Sequence, residues 1–308
     1  MRMKTTLVML PVLLLALASC TAEIWIEDDY VAETPWQTQD ALEAYDLWYV
    51  DVNATRGLGE IPFLQAAFTL SFDRGVLKAN NNLVGIGKTG YGLGIPVGTY
   101  APLRGVVSIA HDLDGLWELE VFVEGPNVIS LYHAPTDTSY VLRGYSRAGF
   151  DYDALFYDNI HYFLQEYEAW EKVETSLEGV PNAFDQEQWL QFLPDGQGDF
   201  FRSSTDPAGL SLSQLVWDYT GGYQVFDVPG NPDMKTLTLD YDYMGNEYFE
   251  LYVIDDAAIA LYHPESETLY QFRGRGFQTI LKDSGLARKK RIARKLPLMD
   301  VERQWPRG

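Results

Sequence analysis

The stretch ISLYHAPTDTSYVLRG at residues 129–144 returns as IALYHPESETLYQFRG at residues 259–274. Eight of the sixteen positions agree at a constant offset of 130, from Ile129, Leu131, Tyr132 and His133 through Thr138 and Tyr140 to Arg143 and Gly144. Unrelated sequence would give about one such match. Upstream at the same offset, Asp112, Gly115, Glu120 and Val123 match Asp242, Gly245, Glu250 and Val253. Allowing small insertions, Gly98 and Tyr100 align with Gly221 and Tyr223, and Tyr45-Asp-Leu-Trp48 aligns with Tyr167-Glu-Ala-Trp170. Phe63-Leu-Gln65 likewise aligns with Trp189-Leu-Gln191. The chain therefore reads as two copies of one module, residues 38–148 and 158–281, joined by an aromatic linker at 149–157.

Each copy carries the period of a β-strand. Val107, Ile109 and His111 alternate with small or polar neighbours, as do Leu237, Leu239 and Tyr241. Trp117, Leu119, Val121 and Val123 form a second such run, echoed by Phe249, Leu251 and Val253. Period two places these residues on one face of a sheet. Asp114-Gly115 and Met244-Gly245 fall between the paired runs, where hairpin turns belong. Turn signals every 8–12 residues predict an all-β fold with minor helix, as two tandem antiparallel barrels or sandwiches. Helix is expected only around Asp40–Leu47 and over Asn159–Lys172.

Composition narrows the function. The 308 residues are 46% hydrophobic and 14% aromatic, so the chain can bury sizeable cores. Its net charge of −21 argues against a general nucleic-acid partner, which needs a basic face. A single cysteine excludes a disulfide framework and multi-cysteine metal sites. Residues 1–19 have the basic start and apolar run of an export signal, ending at Leu17-Ala18-Ser19-Cys20. That ending resembles the lipobox of a bacterial lipoprotein, which implies that Cys20 carries the lipid. Thr21 follows where an Asp would retain the protein at the inner membrane, so the expected location is the outer membrane, on either face. Residues 20–37 form an acidic tether.

The modules resemble lipocalin-like β-barrels, and the chain resembles tandem lipocalin-like lipoproteins of the Bacteroidota outer membrane. In lipocalins a first-strand Trp stacks on a last-strand Arg to close the barrel. The resemblance implies such pairs at Trp48 with Arg143 and Trp170 with Arg273, although neither Trp sits in a Gly-x-Trp motif. It also implies bores lined by Tyr100, Trp117, His133, Tyr223, Phe249 and His263, open to a small apolar ligand unless side chains fill them. Chains of that group often carry the label nicotinic acid mononucleotide adenylyltransferase. The residues speak against it: no histidine has another within four positions, and Ser203-Ser204-Thr205 is followed by Ala208 where the motif needs Arg.

Other enzymatic signals are equally thin. Gly85-Ile-Gly87-Lys-Thr-Gly90 mimics a phosphate loop but lacks a glycine at Asn82 and a following helix, and reads as a glycine-rich barrel loop. Asp240, Asp242 and Gly245 start like a calcium loop, but Leu251 stands where its bidentate Glu belongs. Asp151, Asp153 and Asp158 lack the central glycine. No metal, cofactor or catalytic residue is assigned. His133 and His263 recur in both modules and read as structural.

Two interaction features remain. Phe150 to Trp170 crowds eight aromatics between the modules, for inter-module packing or protein docking. Residues 282–308 carry nine Lys or Arg against three acids. This basic tail either folds back on the acidic modules, lies on anionic lipid heads, or docks an acidic partner. The expected role is a non-catalytic binding or assembly module beside an envelope complex, with a protein partner. A small apolar-ligand or glycan binder is the alternative, and a nucleotidylyltransferase the remote one.

Overall fold

The computed structural model describes residues 35–89, 92–195, 198–243, 245–277, 291–299 and 301. The leader, Cys20, the tether up to residue 34 and most of the basic tail lie outside the described residues. The described chain forms two closed antiparallel eight-stranded barrels in tandem.

The first barrel is a meander of β1 (Leu47–Arg56), β2 (Thr69–Asp73), β3 (Val76–Asn80), β4 (Ile95–Leu103), β5 (Val106–His111), β6 (Gly115–Gly125), β7 (Val128–His133) and β8 (Thr138–Tyr145). The second repeats it with β9 (Tyr167–Leu177), β10 (Trp189–Asp195), β11 (Gly198–Ser204), β12 (Tyr219–Asp227), β13 (Lys235–Tyr241), β14 (Asn246–Asp255), β15 (Ala258–His263) and β16 (Thr268–Phe277). Pairing of β1 with β8 and of β9 with β16 closes the rings, which leaves neither sheet an open edge.

The duplication extends to individual hydrogen bonds. The Trp48 indole donates to the Leu42 carbonyl at 2.7 Å, and the Trp170 indole to the Leu164 carbonyl at 2.8 Å. The Tyr45 hydroxyl donates to the Pro126 carbonyl, and that of Tyr167 to the Asp256 carbonyl. Leu42 ends helix α1 (Pro35–Leu42), and Leu164 lies in helix α4 (Ile160–Gln165), so an equivalent helix caps one end of each barrel. The tyrosines aligned by sequence hold these caps: Tyr100 donates to the Glu43 carboxylate, and Gln165 donates to the Tyr223 hydroxyl at 2.7 Å.

Several expectations are corrected. The helix foreseen over Asn159–Lys172 stops at Gln165, because Tyr167 onward must enter β9 to place Trp170 in the bore. It is preceded by helix α3 (Tyr152–Asp158), with Asp151 as N-cap accepting from the Ala154 amide. The helix foreseen at Asp40–Leu47 starts earlier, at Pro35, and Leu47 already belongs to β1. Phe63-Leu-Gln65 and Trp189-Leu-Gln191 are not equivalent. The Val50 amide bonds the Phe68 carbonyl as the Lys172 amide bonds the Gln188 carbonyl, which sets Phe68 against Gln188. Phe63 to Gln65 therefore lie in the short helix α2 (Pro62–Ala66), which matches the turn Ala183–Gln186.

The Trp–Arg closures do not form. Trp48 is paired with Gly144 and Trp170 with Gly274, while Arg143 and Arg273 stand one residue away and so point to the opposite face. Arg143 reaches Asp51 at 3.0 Å on the outside. Inside, a glycine gives the rings their room: a Cβ on Gly144 would lie 2.4 Å from Tyr45, and one on Gly274 2.4 Å from Tyr167.

The barrels share one hydrophobic interface. Helix α4 packs between them, with its Tyr162 edge-on to Phe68 at 5.8 Å and its Phe163 against Trp170 at 5.4 Å. Leu47, Tyr49, Phe68, Leu83, Val84 and Ile86 of the first module join the linker helices and the second bore in one buried cluster. Residues 291–299 fold back onto both barrels. Arg291 is buried, with its guanidinium 4.4 Å from the Phe68 ring and 5.6 Å from Tyr49, and it donates to the Ala67 carbonyl and to Asn159. Arg294 pairs with Asp199 of β11, and Met299 and Pro297 bond the Asp227 backbone at the end of β12. Burial opposes ionisation of Asp199, yet hydrogen bonds from His161 and Arg294 hold its carboxyl down at about 2.

Candidate functional site

Both bores are filled. Phe184, Phe192, Phe201, Leu237, Leu239, Phe249, Leu261 and Phe272 are wholly or almost wholly buried in the second, and Leu70, Leu77, Val107, Ile109, Leu119 and Leu131 in the first. The residues expected to line a ligand cavity fill space or hold turns instead. Phe249 packs 4.6 Å from Phe184 and 5.3 Å from His263. Trp117 packs 5.1 Å from His133 and donates to the Asp114 carbonyl. Tyr100 and Tyr223 hold the capping helices, as described.

The glycine-rich loop has a different use. The Leu83 and Val84 amides both donate to the Glu166 carboxylate, at 2.8–3.0 Å, and the Gly85 amide donates to Asp256 at 3.1 Å. Successive amides of this kind make an anion-binding concavity. Here the anions belong to the chain itself, and they tie the first barrel to the second.

His263 draws polar groups around it. Its Nδ1 lies 2.7 Å from Ser266 Oγ and its Nε2 2.9 Å from Glu247. Ser266 Oγ is buried and also bonds Asn182 and Thr268, as a hydroxyl that holds a turn does. The first barrel repeats the turn, with His133 Nδ1 2.7 Å from Thr136 Oγ1 and Trp117 in place of Glu247.

The duplication itself points to a site. Aligned by register, Val50, Ala67, Ala79 and His111 at one rim of the first barrel correspond to Lys172, Glu187, Ser203 and Tyr241 in the second. All four residues of the second set are buried. Burying an ionisable group costs several kcal/mol unless partners offset it. The first barrel reaches the same architecture with mostly apolar side chains, so closing a barrel does not need the charged set. Groups held against that cost are functional candidates.

The geometry is specific. Glu187 accepts the Tyr241 hydroxyl at 2.7 and 2.9 Å, and burial pushes its carboxyl above the usual range. Lys172 donates to the Asp185 carbonyl at 2.8 Å, with Nζ 5.0 Å from the Tyr270 ring centre and 5.8 Å from that of Phe184. Burial brings its amine down to about 8, against the opposing fields of Asp185 and Glu187. Asp185 is itself fixed by the Tyr270 hydroxyl at 2.6 Å and the Asn182 amide at 2.9 Å. Beside Lys172 a groove of about 520 Å³ opens, bordered by Glu174, Glu178, Asp185, Gln188 and Thr268.

A stability measurement checks this reading of Lys172. A folded amine near 8 against an unfolded one near 10.5 destabilises the protein fully below pH 8. The penalty is relieved as pH rises from 8 to 10.5, where only the unfolded chain still binds the proton. Lys172→Met is expected to stabilise the protein by about 1–3 kcal/mol at pH 7 in urea denaturation. The advantage should shrink toward pH 10.5. A variant that is less stable than the parent at pH 7 would contradict it.

Lys172 and Glu187 were not singled out from sequence. The aligned Tyr-x-x-Trp segments hold the signal for the first, since Val50 and Lys172 each follow the Trp by two residues. Among the described residues, no group of three or more metal-ligating side chains stands together. Asp242 accepts the Thr220 hydroxyl, and Asp151 serves as the α3 cap. Compared with known proteins, the chain matches no family model and no curated sequence. The fold defines its class: a tandem pair of lipocalin-like barrels.

Proposed function

We propose that this chain is an outer-membrane lipoprotein, anchored through Cys20, that serves as a non-catalytic binding or assembly module beside an envelope complex. The observation that carries this reading is the packing of both bores. A barrel that stores a small apolar ligand keeps a cavity of several hundred Å³ inside. Here the interior positions are taken by the protein's own aromatic and aliphatic side chains. What the molecule offers to others is outer surface, that of two barrels joined by the linker helices and the residue 291–299 segment. The resemblance to tandem lipocalin-like lipoproteins fits the same role.

Antiparallel closed barrels also weigh against a nucleotidylyltransferase, which uses helix N-termini beyond a parallel sheet to hold phosphates. Ser203 and Ser204 are buried in β11, and Thr205 bonds Asp218. No described helix is long and apolar enough to cross a membrane.

The test has two parts. Cys20→Ser is expected to move the protein from the membrane to the soluble fraction, and its continued sedimentation with membranes would contradict the anchor. Titration of the purified protein with a fluorescent fatty acid is expected to show no saturable uptake. Stoichiometric micromolar binding would move the function into a bore.

A further inference from the structure

We infer that Lys172 is a carbonyl-capturing amine, and that the groove beside it takes a small neutral aldehyde or ketone as an imine on Nζ. Three observations lead there. Lys172 is the lysine that the second barrel buries where the first has Val50, so the amine was placed at a position the fold does not need charged. Nζ is anchored by one backbone carbonyl, at Asp185, and is flanked by the Tyr270 and Phe184 rings. Finally, Lys172 and Asp185, whose carbonyl holds Nζ, both border an open groove of about 520 Å³, large enough for a molecule of several heavy atoms.

The chemistry of a partly desolvated amine favours this use. An ammonium is inert toward a carbonyl, whereas a lysine held in apolar surroundings keeps a neutral fraction with a free lone pair. With its amine near 8, Lys172 has on the order of a hundredfold more neutral form at pH 7.5 than an ordinary exposed lysine. In the reaction the lone pair adds to the carbonyl carbon and one N–H proton passes to the oxygen. The hydroxyl then leaves with the second N–H proton as water, and a C=N bond replaces C=O. No oxidant or further reactant is consumed. Glu174, Glu178 and Asp185 around the groove disfavour an anionic keto acid, so the ligand is neutral.

The experiment uses the full chain and benzaldehyde, with sodium cyanoborohydride to reduce any imine to a stable amine, followed by peptide mass spectrometry. Lys172 is expected to be alkylated on the order of tenfold faster than Lys78 and Lys295 at pH 7.5, with a rate that levels off above about pH 8. Lys172→Met should abolish that fast modification and leave Lys78 and Lys295 unchanged. Pyruvate under the same conditions should label Lys172 more slowly than benzaldehyde does. Modification of Lys172 no faster than of the two reference lysines, or only in denaturant, overturns the inference. Preference for pyruvate overturns the ligand class. The readout on the parent protein does not depend on how well the variant folds.

Discussion

Glu166→Ala is expected to destabilise the protein by about 3–5 kcal/mol and to split its unfolding into two transitions. Glu166 is buried and its two carboxylate oxygens accept the amides of Leu83 and Val84, whose own side chains are buried. Truncation would leave two buried N–H donors without that acceptor, and each such donor costs about 1–3 kcal/mol. The damage falls on the joint between the barrels, because Leu83, Val84 and Ile86 belong to the cluster that runs through the linker into the second bore. The first bore has its own separate core and should outlast the joint. Glu166→Gln, which keeps one acceptor oxygen, should lose about half as much. Calorimetry reads both effects, and a single unshifted transition in Glu166→Ala would sink the claim.

Gly221→Ala is expected to cost about 3 kcal/mol or more, and Gly222→Ala close to nothing. A Cβ on Gly221 would lie 2.0 Å from the Asp240 carbonyl oxygen on the paired strand, and that backbone cannot withdraw without breaking the ladder. On Gly222 the nearest atom would be 3.9 Å away, an ordinary contact. The same crowding recurs in the first barrel, where a Cβ on Gly98 would meet the Ala110 carbonyl at 2.3 Å, so Gly98→Ala should behave alike. Urea denaturation compares the three. Equal stabilities for the Gly221 and Gly222 variants would show that the strands are not so close.

The repeat made the architecture legible, and the reason is physical. The aligned Tyr45/Tyr167, Trp48/Trp170, Gly98/Gly221 and His133/His263 each occupy a position where the backbone geometry of the barrel allows few alternatives. Alternating hydrophobics located β5, β6, β13 and β14, because a strand with one face in a bore has period two. The start of the second module misled for the same reason in reverse: residues 159–172 contain apolar spacings that suit both a helix and a bore-facing strand, and the need to seat Trp170 decides between them. The Trp–Arg closure failed on parity, since Arg143 and Arg273 lie one residue from the glycines that face the Trp rings.

The candidate site was less legible. Glu166 lies more than eighty residues after the loop it fills, and nothing local marks a carboxylate as the occupant of an amide nest. Lys172 sits beside exposed Val173 in a strand of mixed character, and only comparison with Val50 reveals it as an exception. Glu187 follows Trp170 by 17 positions whereas Ala67 follows Trp48 by 19, and that offset hides their pairing. The tail left three readings open, and the part from Arg291 to Met299 packs back on the barrels through a buried arginine that charge counting does not distinguish from its neighbours.

If the barrels act through their outer surfaces and not as containers, the tagged full-length protein, extracted from membranes in mild detergent, should show in its native mass spectrum a lipid-modified chain bound in fixed stoichiometry to a protein partner. No non-covalent small molecule should be retained. A chain without a protein partner, carrying one apolar molecule released on denaturation, would contradict that expectation.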